Sequence, residues 1–463
     1  MRSARAIWLA VGLAVLAVAS ALVVVIVVSP GGTPAPPQRP PLGVKQPSLG
    51  IVLPPLDNLD PVTSRPRVRR AQVVHALSAS HAQEVHLYLY WNEVQPDGPA
   101  DGQTAAEYES ALARDPGRSP TLEAFRRLVA AIEARTEAQV MVTLVQKVPC
   151  WTSSDPKRRS FAPLRDSEGA LLRDGSGDLV RPRVHLAVHQ ELSWNAARRR
   201  WDACDPWLAP TTASRFGDFA QTVAASLANL GVHDYEIGNE PNHDPENDVL
   251  PGESPVAKYA SLLTAGARGV RRGDPHATIV AGAFSGDGAG FLSDLYARLG
   301  ARGSSLFDAV SVHKYPAGPP QSCNGALSLC SIARTRKVMN DHGDAAKPIW
   351  ITELGYSTCA GDARCVSERD QANYLAREER LLLGHDGGMR SDGVSRIFVY
   401  DLHDFGWSSE FGCGGWCNGY WSGIGLLHAD LAHKPAFGVF RTLATDLARS
   451  PSSAHAQSTA HPR

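Results

Sequence analysis

The chain carries almost no net charge. Its 463 residues hold 46 Lys and Arg against 47 Asp and Glu, a formal net charge of −1. The missing basic excess argues against a nucleic-acid partner, and the missing acidic excess argues against a solvating tail. No solenoid-type internal repeat is present. Among the eight cysteines no two are spaced as Cys-x-x-Cys, which argues against a zinc site. No glycine-rich phosphate turn follows the first candidate strand, where Leu53 runs on into "PPLDNLDP". That omission sets aside a doubly wound, dinucleotide-binding sheet. What remains is a chain with 43% hydrophobic residues, ample for a large core.

The first 28 residues read as a membrane segment. Arg2 and Arg5 precede an uncharged run from Ala6 to Val28, long enough to span a bilayer as one helix. The run predicts an uncleaved signal anchor, with the arginines inside and everything after Val28 outside. Cleavage near Ala17-Val18-Ala19, giving a secreted protein, is the alternative. Residues 29–47 are proline-rich and read as a linker, and residues 449–463 as a polar, disordered tail. All eight cysteines lie in the exported part. Cys323/Cys330, Cys359/Cys365 and Cys413/Cys417 are near neighbours, which leaves Cys150 and Cys204. An even count outside the cell suggests four disulfides, with the connectivity open.

Between linker and tail, residues 48–448 alternate short β-branched runs with amphipathic segments. The runs begin at Leu49, Glu84, Ala138, His233, Ala277, Phe307, Pro348 and Arg396. Helix-like segments include those from Ser119, Thr211, Ser254 and Ser367, and Ser119-Pro120 is a helix-start signal. Runs apolar on nearly every residue imply strands buried on both faces, hence a parallel sheet covered by helices. Eight such units predict an α/β fold, a (β/α)8 TIM barrel, with long insertions after the third and eighth strands.

Two of the runs end in acid. "YEIGNEPN", Tyr235 to Asn242, places Glu240 at the C-terminal end of the fourth strand, and "IWITELGYST" places Glu353 at that end of the seventh. In a barrel these ends share one mouth, where active sites sit. Taken singly, each glutamate would equally well cap the following helix. Taken together, they are the pair that glycoside hydrolysis needs, one carboxyl protonated and one ionised. Asn239 can hydrogen-bond a sugar hydroxyl, and Pro241 turns the chain out of the strand. The sixth strand ends in "SVHKYP", where His313 and Tyr315 share a side. The eighth ends in "FVYDLHDFGW", where Tyr400, Asp401, His403 and Asp404 could meet sugar hydroxyls and Trp407 could serve as a platform. A metal held by Asp401, His403 and Asp404 is the alternative there.

"GNEPN" and "WITELGYST" at these strand ends resemble the retaining glycoside hydrolases of clan A, near families five and thirty-nine. The resemblance covers about Leu49 to Leu447. It implies Glu240 as general acid/base and Glu353 as nucleophile, with Tyr315 orienting the latter. It departs at the second strand, where His86 stands in the place such barrels give an arginine, upstream of Trp91. No metal or cofactor is implied. The expectation is a monomeric, membrane-anchored enzyme acting outside the cell on β-linked envelope or extracellular polysaccharide. A barrel that binds glycan without catalysis is the rival. Trp91, Trp151 and Trp407 are the expected sugar contacts. Trp194, Trp201, Trp207, Trp416, Tyr420 and Trp421 are expected mainly to pack the insertions.

Overall fold

Strands that are buried along almost their whole length need cover on both sides, and the architecture supplies it. The computed structural model of the chain describes residues 47–53, 70–173, 179–187, 189–195, 198–208, 213–243, 250, 252–320, 328–359, 362–383, 392–404 and 420–449. Its strands are β1 (Ser48–Val52), β2 (Glu84–Tyr90), β3 (Gln139–Val145), β4 (Arg159–Phe161), β5 (Glu191–Asn195), β6 (Arg200–Cys204), β7 (Asp234–Ile237), β8 (Thr278–Ser285), β9 (Ala309–Lys314), β10 (Ile349–Leu354) and β11 (Val394–Val399). Eight of them pair in parallel and close into a barrel in the order β1-β11-β10-β9-β8-β7-β3-β2. Each barrel strand is followed along the chain by an α-helix: Arg70–Ser80, Pro120–Glu133, Ser214–Leu227, Pro255–Gly273, Ala289–Leu299, Ile332–Asp341, Glu368–Leu383 and Pro435–Arg449. The (β/α)8 barrel expected from the sequence is therefore present.

Local chemistry explains where helices start. The Ser119 hydroxyl accepts from the Leu122 N–H with Pro120 in the first turn, and Ser254 does the same for Ala257 ahead of Pro255. Two helices of the outer ring pack unusually closely. A Cβ added at Gly269 would lie 2.0 Å from the Gly217 carbonyl oxygen, so only glycine admits this contact between helices Ser214–Leu227 and Pro255–Gly273.

The two-residue period of the strands divides the core into layers. On β2, Val85, Leu87 and Leu89 join the apolar layer under the helices, whereas His86, Tyr88 and Tyr90 belong to the interior set. The interior is filled by Val52, Tyr88, Met141, Val145, Val280, Ala309, Trp350 and Phe398. Near the strands' N-terminal ends, Arg396 of β11 reaches Asp234 at 2.6 Å and Glu84 at 3.2 Å, its guanidinium 3.9 Å from the Trp350 ring centre.

The insertion after β3 folds into a small antiparallel sheet, β4-β6-β5, an arrangement that sequence reading did not anticipate. A disulfide between Cys150 and Cys204 staples it to the end of β3. Cys359 pairs with Cys365, and Cys330 is also disulfide-bonded. Cys323, Cys413, Cys417, Trp407 and Trp416 lie outside the described residues, as do the Ala6–Val28 run, the linker up to residue 46 and the tail from residue 450. Among the described residues no helix is long and apolar enough to cross a membrane.

Candidate active site

The turn after β7 is built to hold one carboxylate in a constrained position. Gly238 takes a left-handed conformation, φ 82°, which ends the strand. Glu240 follows at φ 39°, a conformation that costs a residue with a side chain and persists only when neighbours enforce it. The neighbours are identifiable. Gln146, just past β3, accepts from the Asn239 N–H at 2.6 Å and donates to the Asn239 carbonyl at 2.7 Å. Asn242 braces the other side, donating to the Ser285 carbonyl at 2.8 Å and accepting from its N–H at 3.0 Å. With its backbone pinned, the Asn239 side-chain oxygen is buried and finds no partner among the described residues.

Glu353 comes from β10, where a register irregularity between Ile351 and Glu353 turns the carboxyl inward. It accepts hydrogen bonds from the Tyr88 and Tyr315 hydroxyls. His313 of β9 joins the two acids, its Nδ1 lying 2.9 Å from Glu240 and 3.1 Å from Glu353. One oxygen of each carboxylate and one imidazole nitrogen thus fall within 4.8 Å of one another. Among the described residues this is the one group of three such donors close enough to share a cation. The imidazole already serves the two carboxylates there.

Burial and mutual charge set the protonation. Burial alone would lower the His313 pKa, but the Glu353, Glu240 and Glu236 charges outweigh it and raise it to about 9. Burial pushes Glu353 up to about 7, reinforced by the Glu240 charge and opposed by His313, Tyr315 and Tyr88. Glu240 is also penalised by burial, yet its hydrogen bond to His313 and that cation's charge hold it below the usual carboxylate range. Glu353 and His313, rather than Glu240, therefore carry the cluster's protons around neutral pH.

A second polar layer lies beneath. His86 Nε2 is 2.5 Å from the Thr143 hydroxyl, which donates to Glu236 at 2.5 Å, and Thr352 donates to the other Glu236 oxygen at 2.9 Å. His86 Nδ1 lies 3.1 Å from the Thr352 carbonyl. Burial lowers the His86 pKa to about 3, so the ring is neutral. Where the resembled barrels place an arginine, this chain has an uncharged imidazole, and it is Tyr88, two residues on, that reaches Glu353.

The sequence-predicted residues divide accordingly. Glu240, Glu353, His313 and Tyr315 converge, and Tyr400 stands half-buried at the same mouth, 6.0 Å between ring centres from Tyr315. Trp421 joins them in edge-on contact with both tyrosines. Trp91 and Trp151 require correction as sugar contacts. Trp91 is fully buried, since the chain turns into the short helix Trp91–Val94 directly after β2 and drives the indole against Phe216 and Phe219. Trp151 is 9% exposed and donates to the Gln95 carbonyl, so it fastens the insertion. Of the alternative metal trio after β11, Asp404 accepts from Lys434 at 2.6 Å and His403 Nδ1 is 3.0 Å from the Asp404 carbonyl, while His403 Nε2 and both Asp401 carboxyl oxygens are buried without a partner among the described residues; the three do not gather closely enough to share a cation. Sequence reasoning missed Tyr88, Glu236 and Gln146. The alternation of His86, Tyr88 and Tyr90 on one face of β2 was the available signal for the first.

No family model matches the chain, and comparison with curated proteins finds no match. Solved structures do match. A family 39 glycoside hydrolase from the gut symbiont Bacteroides cellulosilyticus WH2 is 17% identical, with a TM-score of 0.51 over 87% of this chain and 64% of that one. The GH5_18 protein from Streptomyces cattleya, solved with GlcNAc, is 16% identical, with a TM-score of 0.55 over 88% of this chain and 82% of that one. The exo-β-1,4-mannosidase Op5Man5 from Opitutaceae bacterium strain TAV5 is 14% identical, with a TM-score of 0.51 over 86% of this chain and 59% of that one. The chain thus spans less than two thirds of the first and third of these. It has the fold of the clan A glycoside hydrolases.

Proposed function

We propose that the protein is a retaining glycoside hydrolase that cleaves β-linked glycans of the cell envelope or extracellular polysaccharide. It would work as a monomer outside the cell, held to the membrane by its N-terminal segment. One observation carries the reading: two carboxylates with oxygens within 4.8 Å at the barrel mouth, one of them gripped by two phenols. Separations of about 5–5.5 Å between carboxyl groups suit a covalent glycosyl intermediate, because the second carboxylate then sits too close to the sugar to leave room for a water between them.

Glu353 is the nucleophile in this scheme. The Tyr88 and Tyr315 hydroxyls give its ionised form two hydrogen-bond donors and fix its direction, and the His313 imidazole 3.1 Å away adds a positive charge. Glu240 is the acid/base, protonating the departing oxygen and then deprotonating the incoming water. The shared proton favours Glu353. His313 Nδ1 touches both acids, so it can pass a proton to Glu240 and take one from Glu353. That exchange leaves the pair in the reactive state. Digestion of a panel of aryl β-glycosides and polysaccharides, with product stereochemistry followed by NMR, tests the reading. Release of a β-anomer first, in a Glu353-dependent manner and in the presence of a chelator, is expected. Release of the α-anomer, or no cleavage of any member, overturns it.

A further inference from the structure

The insertion after β3 carries three tryptophans in its described residues beyond Trp151, and they differ in where they sit. Trp201 is 5% exposed and packs edge-on against Trp194 within the small sheet. Trp207 instead leaves the sheet and packs, half-buried, against the barrel's interior cluster beside Tyr90 and Tyr400. That cluster includes Tyr88, whose hydroxyl holds Glu353.

The chain around Trp207 is clamped to the strand ends that present Glu240. The Cys150–Cys204 disulfide fixes the insertion's exit three residues upstream. The Val148 N–H donates to the Pro206 carbonyl. The Lys258 ammonium donates to the Trp207 carbonyl at 2.5 Å, although Lys258 is only 7% exposed. On the side chain itself, the Lys147 ammonium lies 5.4 Å from the indole centre and is ion-paired to Glu191 at 2.8 Å. Lys147 directly follows Gln146, the residue that grips Asn239.

We propose that Trp207 is a specificity-determining residue, the platform on which the sugar ring of the leaving group stacks beside Glu240. This rests on the glycosidase reading and adds to it. The acid/base lies on the leaving-group side of the scissile bond, and the chain at Trp207 is tethered beside β3, whose following residue Gln146 grips the Glu240 turn, and to the helix that follows β7. Aromatic faces meet the C–H faces of pyranose rings, and a rigid, half-exposed indole loses little freedom on contact.

The test compares two substrates of whichever sugar the panel identifies: an oligosaccharide, whose leaving group is a sugar, and the β-glycosyl fluoride, whose leaving group has no ring. Trp207→Ala should lower kcat/KM for the oligosaccharide about tenfold or more, mainly through KM, and leave the fluoride within about twofold. Trp207→Phe should recover most of the loss. Lys258→Met, which keeps the indole and frees its carbonyl, should show the same selectivity more weakly, which keeps the idea testable if the alanine variant unfolds. Equal losses on both substrates, or none on the oligosaccharide, overturn the assignment while Glu353-dependent cleavage stands. Absence of Glu353-dependent cleavage of every panel member overturns the glycosidase reading, and this one with it.

Discussion

The two ends of the barrel each bury a pair of carboxylates, and they settle the charge in opposite ways. At the N-terminal end, Glu84 and Asp234 receive a planar guanidinium from Arg396. At the C-terminal end, Glu240 and Glu353 receive an imidazole from His313, whose pKa their charges raise to about 9. The first arrangement serves cohesion. The second holds protons that move around neutrality and, in the proposed function, serves chemistry. Two clusters alike in composition thus divide into structure and proposed function by the choice of one cation.

Substitutions should expose that division. The largest effect is expected at the mouth: Glu353→Gly should lose on the order of 10⁴-fold or more in hydrolysis, with azide or formate restoring part of the turnover of an activated aryl glycoside. Rates near wild type would remove Glu353 from its role. Glu240→Ala should cost roughly 10²–10⁴-fold on substrates with poor leaving groups and much less on activated ones. A uniform loss across leaving groups would argue against Glu240 as the acid. At the other end, Arg396→Met leaves two acids buried without their cation. It should destabilise the fold by about 3–5 kcal/mol in denaturant titrations, yet spare kcat of the folded fraction. A selective loss of kcat would mean that the ends are coupled.

The smallest effect is a pH dependence. His313 titrates at about 9 in the fold against 6.5 unfolded, so its contribution is complete below 6.5 and disappears as pH rises through 9. Glu353, raised from 4.5 to about 7, loses its own contribution earlier, as pH rises from 4.5 through 7. Neutral His86 and the hydroxyl of Tyr315 face the same space without supplying a compensating charge. The unfolding free energy should therefore fall by about 3 kcal/mol between neutral and alkaline pH, and His313→Gln should flatten the curve. A wild-type curve flat from pH 6.5 to 9 would refute the cationic state of His313.

Much of this architecture could be read from the chain. The β-branched runs specified eight strands, Ser-Pro pairs marked helix starts, and the two strand-end glutamates pointed at each other across the barrel. What escaped depended on contacts far apart in sequence. Tyr88 and Glu353 are separated by 265 positions, and nothing local to "EVHLYLY" tells which inward side chain will reach an acid on β10. Trp91 follows a strand end directly yet lies away from solvent, because one helical turn reverses its direction, and nothing in the local sequence announces that turn. The β4-β6-β5 sheet was obscured by its short, polar strands, which lack the alternation that betrays a buried sheet.

The glycine seam between helices Ser214–Leu227 and Pro255–Gly273 has a reach beyond its own packing. The second helix also carries Tyr259, whose hydroxyl donates to the Ile237 carbonyl and accepts from the Gly282 N–H, and Lys258, which anchors Trp207. A methyl group at Gly269 would wedge the helix outward and drag those tethers with it. A buried helix–helix seam thereby acts as the ruler for the turn that carries Glu240, so efforts to harden or retune this protein should leave that seam untouched.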